Sequence, residues 1–298
     1  MNIPNFNLYD TLFDNEDQHH TNNIGLDIVN SMYNSLNTDN ICRYHDINSY
    51  KSTIPVNCLD YLNLVQVNAR SLNKNYDNLI TFLKTLPKLP DILCISETWL
   101  KPNTAPFHEI NGFKSYHTHR PDGYGGVAIY VNSNISSVPL NDYCICNDNV
   151  ELCTVEIKIN SSSYIISSLY RPHSKHLKVN EFTVFMDNLL SQSIFTDNNS
   201  IISGDFNINL LEHSTNSPTN NFLTTMQSLN YFPHISRPTR FPEDNSTASP
   251  SLLDHIWTNF TAPSSTGIFL SPLSDHLPVF LNLPFFERLN EYRKYPLG

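Results

Sequence analysis

Residues 201–207 read I-I-S-G-D-F-N, a short apolar run that passes through a glycine into an acid and an amide. An apolar run of this length with polar residues on both sides is typical of a buried strand. Asp205 and Asn207 therefore stand where the predicted strand ends, at the edge of a sheet. An acid in such a place is most often a turn residue, but it is also where binding and proton-transfer groups stand.

Other apolar runs along the chain also meet chemically capable side chains. In chain order these are Asn68 after 64–67, Glu97 after 92–96, Tyr170 after 165–169, Asp254 with His255 at the start of a later run, and Ser274-Asp275-His276 before the last one. Each alone is compatible with a turn. If the strands lie side by side, however, their ends form one mouth lined with carboxylates, an amide, a phenol and an imidazole.

The periodicity of apolar residues predicts strands interleaved with helices. Strands are predicted at 61–67, 91–96, 126–131, 150–159, 163–169, 200–204, 253–257 and 278–283, and helices near 76–86, 179–193 and 219–229. This order favours the α/β class, with two packed sheets flanked by helices. We predict one domain over residues 59–284, preceded by a disordered or weakly structured leader at 1–58 and followed by a tail or linker start at 285–298.

Composition limits the classes of partner. The net charge of −10 and the absence of a broad basic stretch count against nucleic acid. That argument weakens because four of the acids stand at the predicted mouth and do not contribute to the charge of the remaining surface: Glu97, Asp205, Asp254 and Asp275. The chain has no signal-peptide pattern, no apolar run of membrane-spanning length and no Walker-type phosphate loop. We therefore expect an intracellular protein, nuclear or cytoplasmic, with no membrane partner and no small organic cofactor.

Six motifs occur in one order over roughly residues 60–283. They are V-N-A-R (67–70), S-E-T-W (96–99), Y-R-P (170–172), G-D-F-N (204–207), S-L-L-D-H-I (251–256) and S-D-H-L-P-V (274–279). Each is short, but the ordered set resembles the DNase I-like endonuclease/exonuclease/phosphatase superfamily. Details such as N-A-R-S-L, G-G-V-A-I-Y-V and L-L-D-H-I-W most resemble the endonuclease domain of non-LTR (LINE-type) retrotransposons.

The resemblance implies a four-layered α/β sandwich with two packed, mostly antiparallel sheets. It also implies hydrolysis of a phosphodiester, with DNA as the substrate and Mg²⁺ as the cofactor, for which Mn²⁺ can substitute. Mg²⁺ prefers oxygen ligands, so Glu97 and Asn68 are the expected ligands, with Asp275 as a further candidate. His276 is the expected general base, oriented by Asp254 or Asp275.

The remaining catalytic roles follow from the same resemblance. Tyr170 and Asn207 are expected to donate hydrogen bonds to the phosphate as charge develops on it. Asp205 is expected beside the attacking or the leaving oxygen, and the sequence leaves open which of the two it serves.

A third group of side chains is expected to bind the substrate: Arg70, Arg171, Thr239, Arg240, Ser251 and Ser274. For the arginines, ion pairs with nearby acids on the surface are an equally good interpretation. For the hydroxyls, capping or turn hydrogen bonds are equally good. Arg70 stands where abasic-site repair members of the superfamily have a second acid. This substitution favours the retrotransposon branch and puts a second metal site in doubt.

Three functions remain open from the sequence. The first is a DNA-nicking endonuclease of retrotransposon origin, with a reverse-transcriptase module as its partner in a longer ancestral polypeptide. The second is a phosphatase or phosphodiesterase of the same fold that acts on an inositol phosphate, a lipid headgroup or RNA. The third is an inactive or co-opted fragment that acts as a binding module.

Overall fold

The computed structural model describes residues 42–54, 61–159, 162–173, 177–242, 249–262 and 264–284. The strands are β1 (Arg43–His45), β2 (Tyr61–Asn68), β3 (Ile92–Ser96), β4 (Phe113–Thr118), β5 (Val127–Asn132), β6 (Ser136–Pro139), β7 (Ile145–Cys146), β8 (Glu151–Ile159), β9 (Ser162–Tyr170), β10 (Asn199–Asp205), β11 (Phe232–Pro233), β12 (Asp254–Thr258), β13 (Ser265–Phe269) and β14 (Val279–Pro284). The helices are α1 (Ile47–Thr53), α2 (Leu72–Thr85), α3 (Val179–Leu190), α4 (Ser193–Thr196) and α5 (Ser217–Ser228). Short 3-10 turns lie at Ala105–His108, Asn141–Tyr143 and Leu210–Glu212.

The strands form two mixed sheets of seven strands each. The first has the order β1-β13-β14-β2-β3-β5-β4, and the second has the order β11-β12-β10-β9-β8-β6, with β7 paired to β8. Among the described strands, parallel pairing joins β1 to β13, β2 to β3 and β9 to β10, and the other pairings are antiparallel. The expected DNase I-like α/β fold with two packed, mostly antiparallel sheets flanked by helices is therefore confirmed.

Burial on both faces explains the continuous apolar runs of the central strands. In β2, Leu64 points into the core between the sheets, whereas Val65 points to the opposite face, which α2 covers with Leu79 and Phe82. Successive side chains of a strand point to opposite faces, so a strand covered on both sides is apolar throughout.

Two of the described helices begin at a polar side chain that caps them. The side chain of Asp46 accepts a hydrogen bond from the Ser49 N–H at the start of α1, and Asn216 accepts one from the Thr219 N–H at the start of α5. Such caps satisfy backbone donors that lack a partner within the helix.

The prediction of a weakly structured leader is wrong for residues 42–54. β1 pairs with β13, and Tyr50 of α1 is buried against Phe269 and Phe280, at ring-centroid distances of 4.7 and 4.8 Å. Asn63 donates a hydrogen bond to the Tyr50 hydroxyl at 2.8 Å. The rest of the predicted leader and the predicted tail at 285–298 lie outside the described residues.

The eight predicted strands and three predicted helices all occur. Strand boundaries agree within one residue, whereas α2 begins four residues before the predicted helix. Among the described residues, no helix combines the length and the apolar character that crossing a membrane requires.

Candidate active site

The polar ends of the strands meet at one edge of the two sheets. In the second sheet, Asp205 of β10 pairs with Tyr170 of β9 and with Asp254 of β12, so three neighbouring strands place three polar residues in one row. In the first sheet, Asn68 is the last residue of β2, and Glu97 directly follows the neighbouring strand β3. The sheet register therefore brings together residues that are far apart in the sequence.

The buried side chain of Asn68 joins the two sheets. Its Nδ2 donates to Glu97 Oε1 at 2.8 Å and to Asp205 Oδ2 at 2.9 Å. Its Oδ1 accepts the Arg70 N–H at 3.0 Å, and its carbonyl accepts the Ser274 hydroxyl at 2.7 Å. Because both amide N–H groups are bonded to carboxylates, the orientation of the amide is fixed, and it holds the two acids on either side of it.

Asp205 is an acid enclosed by the protein. Its Oδ1 accepts the Asn207 N–H at 2.9 Å, and the Asn207 side chain donates to the carbonyl of Arg171 at 2.8 Å. Burial raises the pKa of Asp205, the positive charge of His276 opposes this shift, and the negative charge of Asp254 adds to it. A carboxyl in this environment is a candidate for proton transfer.

Asp254 and His276 form a buried pair. His276 Nδ1 and Asp254 Oδ2 are 2.8 Å apart, and Asp254 also accepts the Thr239 hydroxyl at 2.7 Å and the Gln66 amide at 3.3 Å. Burial alone would lower the pKa of His276, but attraction to Asp254 and to other nearby acids outweighs it and raises that pKa to about 9. The imidazole is therefore oriented by one carboxylate, which favours its protonated form.

Two arginines reach Asp275 at the rim of this cluster. Arg70 Nη1 is 2.8 Å and Arg240 Nε is 3.2 Å from Asp275 Oδ2, and both arginine side chains are about half exposed, at 54% and 47%. Burial favours the neutral carboxyl, but His276 and the two arginines lower the pKa of Asp275. The other oxygen, Oδ1, is buried and has no hydrogen-bond partner among the described residues.

Comparison with known proteins agrees with this geometry. The model of the endonuclease/exonuclease/phosphatase family matches residues 56–276. The chain belongs to this family. Phosphodiesterase hydrolases make up this superfamily, and it is typically metal-dependent. A search of curated proteins finds no match.

Solved structures of family members share the fold at low sequence identity. The endonuclease domain of TRAS1, a telomere-specific non-LTR retrotransposon, is 15% identical, with a TM-score of 0.57 over 76% of this chain and 99% of that one. The AP endonuclease LMAP from Leishmania major is 15% identical, with a TM-score of 0.61 over 89% and 99%. The human Nocturnin catalytic domain, solved with a bound sulfate anion, is 16% identical, with a TM-score of 0.52 over 76% and 94%.

Two of the expected substrate-binding residues of this family member lie inside the protein. Thr239 is fully buried, and its hydroxyl supports Asp254. Arg171 is 6% exposed, with its guanidinium bonded to the carbonyls of Asn207 and Leu177. Both side chains are therefore placed to support the site from inside the protein, and direct contact of either with a substrate stays a prediction.

The other predicted residues take different places. Ser274 bonds to the Asn68 carbonyl, and Ser251 pairs with Arg240 through the backbone. The Tyr170 side chain is partly buried, and its pKa is raised, first by burial and then by the charges of Glu97 and other acids. The phenol therefore keeps its proton and can donate it in a hydrogen bond.

Sequence reasoning missed two residues of the site. Gln66 is fully buried and donates to Asp254, and Trp99 donates from its indole N–H to Glu97 Oε2 at 3.3 Å. A signal for Gln66 was present, since it is the polar residue of an apolar strand and lies two positions before Asn68, on the same face. Nothing local distinguishes Trp99 from a core tryptophan.

The acids and histidine suggest two places for a metal. Ligand atoms of Asp205, Asp254 and His276 lie within 4.8 Å of one another, a spacing that can hold a metal ion. However, His276 Nδ1 is bonded to Asp254 Oδ2 at 2.8 Å, so this nitrogen is not free to ligate an ion. The oxygen donors around Glu97 are therefore the better candidates.

Proposed function

We propose that the chain is a Mg²⁺-dependent endonuclease that nicks DNA and derives from a non-LTR retrotransposon. The observation that carries this proposal is the Asn68 amide, which holds Glu97 and Asp205 together beside the buried Asp254–His276 pair. This arrangement combines oxygen ligands, a proton-transfer pair and a buried acid at one sheet edge, which is what metal-assisted hydrolysis requires.

The donor set fits Mg²⁺. Glu97 and Asn68 offer side-chain oxygens, and Asp275 offers the buried Oδ1 that has no hydrogen-bond partner among the described residues. Mg²⁺ prefers such hard oxygen ligands and keeps several waters, and Mn²⁺ accepts the same donors. When bound, the cation would neutralise the charge that develops on the phosphate.

The Asp254–His276 pair handles the proton of the attacking water in this proposal. The bond to Asp254 occupies Nδ1 and fixes the tautomer, so Nε2 is the nitrogen that exchanges a proton with the substrate side. The neutral ring acts as a general base, and the protonated ring is a cationic donor to the phosphate. Asp205, whose pKa burial raises, is the second proton-transfer group.

The phosphate is held by donors around this centre. Tyr170 pairs with Asp205 across the sheet, and its phenol donates a hydrogen bond to the phosphate in this proposal. The Asn207 amide donates to the Arg171 carbonyl at 2.8 Å and to Asp205 Oδ2 at 3.4 Å, and it would exchange the longer of these two bonds for one to the phosphate. The partly exposed guanidinium groups of Arg70 and Arg240 supply positive charge at the rim. These two arginines offset the acidity that argues against a nucleic-acid substrate.

The residues of the site, and not the fold, favour the retrotransposon branch, because TRAS1 and the AP endonuclease LMAP both share the fold. Arg70 replaces the acid that abasic-site repair members carry at this position. The L-L-D-H-I-W stretch at 252–257 contributes Asp254 within the same pattern. A reverse-transcriptase reading frame downstream in the genomic sequence would support this origin, and an unrelated conserved gene there would contradict it.

A plasmid-nicking assay tests the activity. With Mg²⁺ the protein should convert supercoiled plasmid to the nicked circle, and EDTA should stop the reaction. His276→Ala and Asp205→Asn should each lower the rate by about 10²–10⁴, the usual contribution of a positioned acid or base. Asp187→Asn, on the exposed face of α3, is the matched control and should nick like the wild type.

The alternatives give different results in the same assay. An intact plasmid together with rapid hydrolysis of an inositol phosphate would indicate a phosphatase of this fold. A folded protein that is inert toward every phosphodiester, with variants that behave identically, would indicate an inactive fragment or a binding module.

A further inference from the structure

The backbone beside Glu97 adopts an unusual conformation. Glu97 and Trp99 both have φ of 52°, and the residue between them, Thr98, is fully buried. Residues other than glycine are uncommon in this left-handed region of φ. Each one costs about 1–3 kcal/mol of conformational free energy and persists only where its surroundings fix the backbone. Something near Glu97 must therefore fix this turn.

The turn is held by a pair of glycines from the loop between β4 and β5. The Thr98 N–H donates to the Gly126 carbonyl at 3.1 Å, and the Trp99 N–H donates to the Gly125 carbonyl at 2.7 Å. Both glycines have positive φ, 116° and 85°, and a Cβ on Gly126 would lie 2.6 Å from the Thr98 hydroxyl. The close approach of the two segments requires glycine at this corner.

The carboxylate of Glu151 bonds to the glycine corner formed by Gly125 and Gly126. This residue begins β8 and is fully buried, and its Oε2 accepts the Gly126 N–H. Its Oε1 lies 3.4 Å from Arg120 Nη1, and Arg120 is itself held by Asp122 at 3.1 Å and Asp148 at 2.8 Å. A buried carboxylate is costly unless it is paired and bonded, and neither of its contacts belongs to the chemistry described above.

We propose that Glu151 is a positioning residue that, through Gly126, holds Glu97 in its left-handed conformation. Its carboxylate fixes the Gly126 N–H, the carbonyls of the glycine corner fix the N–H groups of Thr98 and Trp99, and these keep the Glu97 carboxylate facing Asn68. This inference rests on the proposed function only in the role given to Glu97, since the backbone coupling is a property of the protein itself.

Hydrogen exchange of Glu151→Gln tests the coupling without any activity. At pH 8.5 the wild-type side chain is ionised, because burial raises the pKa of Glu151 only to about 7. Loss of one charge-assisted bond should speed exchange of the Thr98 and Trp99 amides about tenfold. Amides of β14 should exchange as in the wild type. Glu156→Gln, on the same strand but away from the corner, is the matched control and should change neither segment.

Kinetics give a second readout. In plasmid nicking, Glu151→Gln should raise the half-saturating Mg²⁺ concentration about tenfold and leave the KM for DNA unchanged, because it acts on Glu97 and not on the rim arginines. A purely structural role would lower the melting temperature and speed exchange throughout the protein. Exchange that is unchanged at Thr98 and Trp99, or raised equally everywhere, would overturn the proposal.

The design separates this inference from the proposed function. If the wild type fails to nick DNA, the function is wrong, while the exchange comparison still decides the coupling. If Glu151→Gln does not fold, Arg120→Gln is the second variant, because it removes the ion pair that holds the Glu151 carboxylate and changes the more exposed residue of that pair. That variant should also speed exchange at Thr98 and Trp99, and a pattern identical to the wild type would refute the coupling.

Discussion

Replacing Asp205 by Asn is expected to stabilise the metal-free protein while it removes most of the activity. Asp205 is 1% exposed and lies near the carboxylates of Asp254 and Glu97. Burial raises its pKa to about 7, against the attraction of His276. The ionised side chain therefore opposes folding, as is common where a site is arranged for catalysis.

The size of the effect follows from this pKa. The ordinary value of an aspartate is 3.8, so the shift is about three pKa units, and each unit corresponds to ~1.4 kcal/mol. Ionised Asp205 thus costs roughly 4 kcal/mol above pH 7. An Asn cannot accept from both Asn207 and Asn68, and the lost hydrogen bond costs about 1–1.5 kcal/mol. We expect a net gain of roughly 2.5–3 kcal/mol in the free energy of unfolding.

The pH dependence makes this prediction specific. Because the pKa in the folded state is raised, the cost is absent below about pH 4, grows up to about pH 7 and is constant above it. Urea unfolding in EDTA at pH 5 and pH 8 measures it, with Asp187→Asn as the control. The advantage of Asp205→Asn should be larger at pH 8 by about 2.5 kcal/mol. An equal advantage at both pH values, or a less stable variant at pH 8, would refute the electrostatic argument.

Three further predictions follow from the same contacts. Tyr50→Ala should lower the free energy of unfolding by about 3–5 kcal/mol in urea denaturation, because it removes a buried ring. Tyr50→Phe should lower it by only about 1 kcal/mol, for the lost hydrogen bond. A Tyr50→Ala protein as stable as the wild type would mean that α1 is dispensable. Glu97→Ala should lose nicking activity that excess Mg²⁺ only partly restores, and a half-saturating Mg²⁺ concentration equal to that of the wild type would contradict a direct ligand role. Arg70→Ala and Arg240→Ala should each weaken DNA binding and reduce the slope of log affinity against log salt by about 1, and an unchanged slope would show that neither binds phosphate.

The sequence predicts the central strands well because both of their faces are buried. Their apolar runs are continuous and end at polar residues, so length and boundaries are visible in the residues alone. The strands that it misses have less apolar patterns. β4, with the sequence F-K-S-Y-H-T, lies at a sheet edge and alternates weakly, and β6 is mostly exposed.

The first structured segment could not be found for a different reason. α1 has one fully buried residue, Tyr50, whose partners Phe269 and Phe280 lie more than 200 positions away. A single aromatic in an Asn-rich stretch gives no periodicity, and only tertiary contact orders it. A truncation that removes Tyr50 is therefore expected to lower the stability of the protein.

Motif order predicts the candidate site residues, but the partners of these residues depend on geometry that the sequence does not contain. Thr239 and Arg171 lie within or next to motif positions, yet each is turned inward by the fold. From the sequence alone, substrate binding and a purely structural role were equally good interpretations of these two residues. The difference is decided by burial, which for a residue beside a strand end depends on the opposite sheet.

The position of Arg70 shows how one substitution changes the metal-binding capacity of the site. Its guanidinium bonds Asp275 Oδ2, which Arg240 also reaches, so only Oδ1 of this carboxylate remains to meet a cation. At the same time, the Arg70 N–H occupies one lone pair of the Asn68 amide oxygen. An acid at this position would have added an oxygen ligand and released Asp275. With arginine there, the site has positive charge where a second cation would otherwise bind, and we therefore expect one Mg²⁺, held mainly by Glu97, with the arginine contributing to the binding of phosphate.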